Sequence, residues 1–468
     1  MRGARRAVPL PNTTGGMLPA MRVASALAAA LWAACAPRAR ASTGRVHVAS
    51  RDGEVVAATT GRVPTGGRVV RVALAEGAAA ARVSATGAWT VGEAEGGTVL
   101  GRGGADATWT IERRGDALRA LGPAGGTSWR PGPLVVRAAP GAFVVHAGRR
   151  WRGELWLHAG PGAGVTVVDR VPAEEYLRGV VPLELEGEGP ADQAALEAQA
   201  VAARSYTYSR LAEFLPRAAA IARARLPFDV RATVRDQVYG GVAAERPATD
   251  RAILATAGLV LRHDGAVVSA PYHSACGGST AAPGELWGAE PAPYLRAVSD
   301  RVPGSERAYC DVAPRFRWTR TWDGAELEQV LARYLRAAAT SNAAGGDAVP
   351  ASGAVGAVRG IDVLARTPSG RAGSVAVRTS AGRYVLRGNA IRFALRARGG
   401  EILPSTYFTA TAEPDGAGRV ARLVVRGGGN GHGVGMCQWG AVGRARAGQD
   451  FRTILRTYYP GTTVEPVE

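Results

Sequence analysis

Apolar and polar residues alternate in short runs through the amino-terminal part of the chain, between residues 45 and 169. A period of two is typical of strands that bury one face, and the glycine-rich stretches between the runs are typical of tight turns. The predicted strands are VVRVALAE, AAARVSAT, AWTVGEA, ATWTIERR, PLVVRAA and FVVHAG, followed by the amphipathic run RRWRGELWLH. The pattern therefore predicts a β-rich module over residues 42–160.

The hydrophobic period lengthens in the next part of the chain. VTVVDRV predicts one more strand, VPAEEYLRGVV a short helix, and PADQAALEAQAVAARSYTYSRLAEF a long helix. One face of the long helix carries Ala195, Gln199, Ala202 and Tyr206. Because small alanines let a neighbouring backbone approach closely, we expect this helix to be buried at the centre of a second domain, residues 161–464.

The remaining residues predict strands and helices in alternation. GLVLRHDGAVVSA predicts a hairpin that turns at Asp264 and Gly265, and residues 322–335 predict a helix. Residues 336–357 form a low-complexity insertion, after which IDVLART, SVAVRTS and RYVLRGN predict strands. The chain closes on a glycine-rich loop and two helical stretches. The predicted fold class is α+β, with a β-rich module followed by a domain built around one long helix.

The first residues have the features of an export signal. Arg22 precedes the apolar run VASALAAALWAACA, and Ala39, Arg40 and Ala41 end in small residues that a signal peptidase accepts. The run is too short to span a bilayer comfortably. We therefore expect residues 1–41 to be a signal peptide and the protein to reach the periplasm or cell envelope without a transmembrane segment. Acylation of Cys35, as in a lipoprotein, is the alternative.

The formal net charge is +18, and it comes from arginine alone because the sequence contains no lysine. The arginines are scattered, and no nucleic-acid motif with interleaved aromatic residues accompanies them, so we expect no nucleic-acid partner. A basic exported protein would instead be attracted to the anionic polymers of the cell envelope.

Three glutamates precede the long helix, in VVPLELEGEGP: Glu184, Glu186 and Glu188. Glu184 stands between two leucines, and an apolar environment raises the pKa of a carboxyl group, which could then act as a general acid at neutral pH. Its two neighbours are flanked by glycine. The alternative is that all three are surface charges near a helix N-terminus, where acids are favoured.

A signal peptide removed at residue 41 would leave three cysteines: Cys276, Cys310 and Cys437. In an oxidising compartment, a disulfide between Cys276 and Cys310 with one thiol left over is the simplest arrangement. The segment YHSACGG leaves a structural zinc open as an alternative, with His273, Cys276 and Cys310 as ligands. A nucleophilic pair of His273 and Cys276 is a third option.

The glycine-rich segment GNGHGVGMCQWGA combines a titratable group, an amide and a stacking face in His432, Gln438 and Trp439. Sugar rings bind well to such mixtures. The alternative is a structural glycine-rich crossing with a buried tryptophan. The segment lacks the Lys-Ser/Thr ending of a phosphate-binding loop.

Six blocks follow one another in the second domain: VPAEEYLRGVVPLEL, LEAQAVAARSYTY, RDQVYGG, APYHSACGGST, PYLRAVSD and GHGVGMCQWGA. In order and spacing they resemble the stage II sporulation protein D family, whose relatives include an amidase enhancer, from about residue 171 to residue 464. The resemblance implies lytic transglycosylation of peptidoglycan glycan strands, preferentially strands stripped of their peptides. It places Glu184 at the family's catalytic glutamate, although Leu185 and Glu186 replace the Met-Pro that usually follows.

The resemblance also implies roles for other residues. Glu184 would protonate the glycosidic oxygen and then accept the proton of the muramic acid 6-hydroxyl, which gives a 1,6-anhydro product and needs no cofactor. The helix would contribute the orienting residues Gln199, Arg204 and Tyr206. The walls of the substrate site would carry Tyr272, His273, His432 and Gln438.

Two other functions stay open. A non-catalytic cell-wall-binding protein that stimulates a partner amidase would use the same cleft without a protonated Glu184. A hydrolase or a zinc amidase would need a second carboxylate or a complete ligand set, and the sequence offers neither.

Overall fold

The computed structural model describes residues 67–94, 97–105, 107–160, 164–187, 189–339, 345–346 and 355–467. The predicted signal peptide, Cys35, Glu188 and most of the 336–357 insertion lie outside these residues. The fold is α+β with a β-rich amino-terminal region, as predicted. Within the described part of the chain, the helices are too short or too polar to cross a membrane.

The amino-terminal region consists of strands, and each of the six predicted runs lies on one of them. The strands are β1 (Val69–Ala78), β2 (Ala81–Ala85), β3 (Trp89–Glu93), β4 (Val99–Gly103), β5 (Trp109–Arg114), β6 (Ala117–Gly122), β7 (Gly125–Gly126), β8 (Arg130–Pro131), β9 (Leu134–Ala138), β10 (Val144–His146), β11 (Arg149–Trp151), β12 (Glu154–Ala159) and β13 (Val165–Pro172). Their alternating apolar residues meet in one core between two sheets.

The first sheet connects the β-rich region to the domain that follows. Its order is β4-β3-β9-β12-β13-β1, and the short strand β14 (Val230–Arg231) is added in parallel beside β1. Strand β13 lies between β1 and β12, and the first helix starts directly after it. The second sheet has the order β11-β10-β2-β5-β6-β7, with β8 also beside β6.

Helices follow where the hydrophobic period lengthens. They are α1 (Ala173–Arg178), α2 (Val181–Glu184), α3 (Gln193–Tyr208), α4 (Arg217–Ala224), α5 (Pro247–Ala255), α6 (Pro283–Trp287), α7 (Gly324–Ala339), α8 (Ala390–Ala394), α9 (Gln438–Arg446) and α10 (Phe451–Tyr458). Of the 16 residues of α3, 13 are buried, so this helix is central as predicted. It packs against α5, α9 and α10, because its many alanines allow close approach.

The remaining strands form smaller sheets. They are β15 (Leu259–His263), β16 (Ala266–Val267), β17 (Tyr272–His273), β18 (Arg317–Asp323), β19 (Gly345–Gly346), β20 (Val358–Arg366), β21 (Ala372–Thr379), β22 (Arg383–Arg387), β23 (Phe408–Pro414), β24 (Val420–Gly428), β25 (Met436–Cys437) and β26 (Thr463–Pro466). Sheets β18-β24-β23 and β19-β22-β21-β20 share a core with α7, and β16-β15-β26 lies beside α3.

Two local predictions are confirmed with small changes. The hairpin of β15 and β16 turns at Asp264 and Gly265, whose positive φ angles of 49° and 76° fit a two-residue hairpin turn. The helix predicted over residues 322–335 starts two residues later, at Gly324, because Trp322 and Asp323 end strand β18. The Asp323 carboxylate then accepts a hydrogen bond from the Glu326 backbone N at 2.8 Å, as an N-cap does.

Candidate active site

Glu184 is the last residue of α2, and its side chain is half-buried. Its Oε1 accepts a hydrogen bond from the backbone N of Val238 at 3.4 Å, and the side-chain amide of Gln438 forms a second one. Burial raises the pKa of the Glu184 carboxyl from 4.5 to about 7, although both hydrogen bonds oppose the rise. A pKa near 7 leaves Glu184 partly protonated at neutral pH. The direction of the shift agrees with the sequence-based expectation.

The other two glutamates differ from Glu184. Glu186 is exposed, and Glu188 lies outside the described residues. Leu183, one of the two leucines expected to shield Glu184, is 47% exposed, whereas Leu185 is buried. Leu183 therefore shields Glu184 less than its position beside the carboxyl group in the sequence predicts.

Gln237 anchors the segment that donates to Glu184. This buried amide accepts hydrogen bonds from the hydroxyls of Tyr176 (3.2 Å) and Thr207 (2.8 Å) at its Oε1. Its Nε2 donates to the Ala203 carbonyl at 3.3 Å and to the Tyr272 hydroxyl at 2.9 Å. Because both ends of the amide are held, the next residue, Val238, presents its N–H to Glu184 from a fixed position.

Tyr272 faces the same carboxyl group. Burial, and next the charge of Glu184, raise the pKa of the Tyr272 phenol well above its ordinary value. Since the hydroxyl accepts the hydrogen bond from Gln237, its own proton remains available for donation. Tyr272 is on β17, which pairs in parallel with β25 and thereby places the tyrosine opposite Met436, two residues before Gln438.

Gln199 and Gln438 connect α3 with α9. The Gln438 Nε2 donates to the Gln199 Oε1 at 3.4 Å, and both residues are buried. The Nε2 of Gln199 has no hydrogen-bond partner in the structure. A buried amide nitrogen without a partner is costly, so it marks a place where a further acceptor is favoured.

Tyr206 supports the Glu184 site only indirectly. Its hydroxyl donates to Asp236 at 3.2 Å and accepts a hydrogen bond from Arg210 at 3.0 Å. Asp236 directly precedes Gln237 in the chain, so Tyr206 supports the segment that carries Val238. Burial raises the pKa of Tyr206 to about 12.

Arg204 does not join this group. Its guanidinium is fully buried and forms a two-pronged ion pair with Glu174, at 2.8 and 2.7 Å. The remaining donors reach the Leu259 and Ile253 carbonyls at 3.0 and 3.4 Å. The sequence-based proposal that Arg204 orients the sugar therefore does not fit the structure, in which Arg204 joins α3 to α1, α5 and β15.

His273 and His432 form a separate pair, with ring centroids 5.5 Å apart. Side chains alternate along a strand, so His273 points to the opposite face of β17 from Tyr272. Its Nδ1 is 3.2 Å from the Val434 carbonyl oxygen. Burial lowers the pKa of His432 to about 3 and that of His273 well below its ordinary value, so both rings are neutral. The two histidines lie on the other face of β17 from Tyr272, and their part in the substrate wall stays a prediction.

The three described cysteines are free thiols gathered in one buried cluster with Asp300. The predicted disulfide is not formed in the structure, because the Sγ atoms of Cys276 and Cys310 are 3.5 Å apart. His273 is not a member of the cluster, so the predicted zinc ligand set also differs, with Cys437 and Asp300 in its place. A Cys276–His273 nucleophilic pair gains no support, since the His273 Nδ1 faces Val434 and its Nε2 is unpaired.

Sequence reasoning missed several members of these sites. Gln237 and Val238 lie in RDQVYGG, a block that was recognised only as part of the resemblance. Asp300 lies in PYLRAVSD, where a single acid at the end of a block gives no sign of burial. In the sequence these residues are marked only by a polar residue beside an apolar one in a short block. Local periodicity cannot distinguish such a block from an ordinary loop.

A family model described as "Stage II sporulation protein" matches residues 162–263, which include α1, α2, α3 and therefore Glu184. A second model, described as a domain of unknown function, matches residues 306–435.

Several curated proteins are similar in sequence. An uncharacterized protein of Brachyspira hyodysenteriae is 30% identical over 300 residues, which cover 64% of this chain and 68% of the relative. The amidase enhancer of Bacillus subtilis is 28% identical over 316 residues, 62% of this chain but only 40% of the enhancer. Stage II sporulation protein D of Bacillus subtilis is 25% identical over 307 residues, 64% of this chain and 76% of that protein.

The fold and the site define an α+β protein with one half-buried glutamate, held by a backbone N–H and a buried amide, as its candidate acid–base group. The chain belongs to the stage II sporulation protein D family. Membership supports a cell-wall-related, extracytoplasmic role.

Proposed function

We propose that the protein is a peptidoglycan lytic transglycosylase that cleaves peptide-stripped glycan strands, with Glu184 as its single acid and base. The observation that carries the proposal is the environment of the Glu184 carboxyl, where burial raises the pKa to about 7. A carboxyl group with a pKa near the working pH can both donate and accept a proton. Such a group suits a reaction in which one residue performs the two tasks in turn.

The reaction balances with one carboxyl group. The protonated Glu184 gives its proton to the glycosidic oxygen as the bond to the muramic acid anomeric carbon breaks, and the leaving strand carries a new hydroxyl. The 6-hydroxyl of the same muramic acid then bonds to the anomeric carbon and returns its proton to Glu184, which forms the 1,6-anhydro end. Hydrolysis would normally need a second carboxylate to activate water.

The neighbouring groups support the roles of acid and base. The Gln438 amide and the Val238 N–H donate to the carboxylate form, which stabilises Glu184 after it has released its proton. The free proton of Tyr272 and the unpaired Nε2 of Gln199 are donors suited to sugar hydroxyls and acetamido oxygens.

Product analysis tests the proposal. We expect the purified protein to convert denuded glycan strands into fragments with 1,6-anhydromuramic ends, measured by mass spectrometry. Strands that bind but stay intact, together with a faster partner amidase, would instead favour a non-catalytic role. The enhancer named among the relatives makes that the second candidate. Reducing-end products would show hydrolysis.

The activity should depend on pH through Glu184. The acid step needs the protonated form, so kcat/KM should be highest below pH 7 and fall about tenfold per pH unit above it, since the pKa is raised to about 7. Initial rates of strand cleavage across pH 5 to 9 measure this. A rate that rises between pH 7 and 9 would contradict an acid role for Glu184.

The variant Gln438→Met tests the cause of this profile. The Gln438 amide favours the charged form of Glu184, so its loss should raise the Glu184 pKa further and move the alkaline limb to higher pH. Gln449→Met is the matched control, because the Gln449 amide bonds Arg444 and Tyr309 instead. If both variants keep the alkaline limb of the wild-type pH profile, the proposed contact between Gln438 and Glu184 is wrong.

A further inference from the structure

Four buried side chains from distant parts of the chain converge beside the Glu184 site. Cys276 follows β17, Asp300 lies in a loop, Cys310 is in the 3₁₀ turn Tyr309–Val312, and Cys437 ends β25. One ligand atom of each, three sulfurs and a carboxylate oxygen, lies within 4.8 Å of the others. The residues are at most 1% exposed.

The distances from Cys276 Sγ to two of the other ligand atoms are close to those of a tetrahedral cation site. With Zn–S bonds of about 2.3 Å and a Zn–O bond of about 2.1 Å, two sulfurs are about 3.8 Å apart and a sulfur and an oxygen about 3.6 Å. In the structure Cys276 Sγ is 3.5 Å from Cys310 Sγ and 3.4 Å from Asp300 Oδ2. A disulfide would need about 2.05 Å between sulfurs.

Backbone N–H donors and a carboxylate held on one side surround the cluster. The backbone N–H groups of Cys276 and Gly440 donate to Cys437 Sγ at 3.1 and 3.3 Å. Asp300 Oδ1 accepts hydrogen bonds from the Tyr458 hydroxyl at 2.6 Å and from Arg444 at 3.3 Å. These bonds occupy one carboxylate oxygen and leave the other directed at the sulfurs, as outer partners do around metal ligands.

We propose that Cys276, Asp300, Cys310 and Cys437 bind one thiophilic divalent cation, of which Zn²⁺ fits best. Three thiolates select a soft cation, and a four-ligand set with every ligand buried is typical of a closed structural site. Each coordinating thiol would release its proton on binding. A disulfide would use two of the three thiols, whereas the cation uses all three thiols and the Asp300 carboxylate.

The cation would connect the cluster to the candidate active site without taking part in the reaction. Cys437 is the N-cap residue of α9, and the next residue is Gln438, which bonds Gln199 and Glu184. Fixing the Cys437 sulfur would fix the start of α9 and thereby the Gln438 amide. The inference is independent of whether Glu184 catalyses, because it concerns binding and stability.

Metal content tests the proposal on the full chain. Protein purified under reducing conditions with added zinc, then dialysed, should hold about one zinc per chain by elemental analysis. Cys437→Ser and Asp300→Asn should each hold less than a tenth of that amount. Asp169→Asn is the matched control, because Asp169 is a buried carboxyl that accepts a hydrogen bond from a tyrosine hydroxyl, at 3.0 Å, but lies in the β-rich region.

Spectroscopy and thiol counting keep the test decisive if a variant fails to fold. Replacing zinc by Co²⁺ in the wild-type protein should give the sulfur-to-cobalt charge-transfer absorption and the visible bands of a tetrahedral site. The thiols of Cys276, Cys310 and Cys437 should react with a thiol reagent only after chelation, and any reaction at Cys35 is counted apart from them. The proposal is overturned if the folded protein binds no cation, if a Cys276–Cys310 disulfide forms in place of the site, or if both ligand variants keep their zinc.

Discussion

Glu184→Gln is expected to lower glycan-strand cleavage by about 10²- to 10⁴-fold, the range that a positioned acid–base group contributes. The amide keeps the size of the carboxyl group and can still accept the Val238 hydrogen bond, but it has no proton to transfer. Rates of anhydro-end formation, measured on denuded strands, give the effect. Binding of the strands to the variant should change little.

The matched control is Glu186→Gln, two residues away and exposed. It should leave cleavage within about twofold of wild type, because a solvated side chain away from the site does no acid–base work. Equal losses in the two variants would point to a disturbed loop, and full cleavage by both variants would show that Glu184 is not the acid and base.

Stability provides an independent check on the Glu184 variant. Burial raises the folded-state pKa of this carboxyl from 4.5 to about 7, so the folded protein binds more protons than the unfolded chain between these values. The Glu184 carboxyl therefore stabilises the folded protein at low pH, and this stabilisation is lost as the pH rises through about 7. Glu184→Gln should melt at a higher temperature than wild type at pH 8, with a smaller difference at pH 5.

Arg204→Met is expected to lower the free energy of unfolding by about 2 kcal/mol, because it removes a buried donor from a partly exposed carboxylate and from a backbone carbonyl. The methionine fills part of the space but leaves Glu174 without its two-pronged partner and the Leu259 carbonyl without its donor. Urea unfolding measures the loss. Activity per folded molecule should stay near wild type well below the melting temperature.

Arg307→Met is the control for this effect. Arg307 also forms a two-pronged pair, with Asp311 at 2.8 and 3.1 Å, but its side chain is 72% exposed. An exposed pair contributes at most about 1 kcal/mol, so this variant should lose little stability. If Arg204→Met kept the wild-type free energy of unfolding but had a raised KM, Arg204 would bind substrate, as the sequence analysis predicts.

The sequence determined the fold class and the position of most elements. Alternating apolar residues placed the strands of the β-rich region. The alanine-rich faces of QAALEAQAVAARSYTY placed α3 at the centre. Both were predictable because the spacing of apolar residues shows which faces of an element are buried. The resemblance and the apolar neighbours singled out Glu184 among three glutamates.

Only the tertiary structure decided which groups meet. Gln199 and Gln438 are 239 residues apart in sequence, and Cys276 and Cys437 are 161 apart, yet each pair is in contact. The position of Arg204 on α3 was predictable, but its partner Glu174 was not, and neither was the alternation of β17 that separates Tyr272 from His273. The spacing of apolar residues along a segment records which face of the element each side chain occupies. The hydrogen-bond partner and the pKa of that side chain depend on the residues that folding brings to the same face.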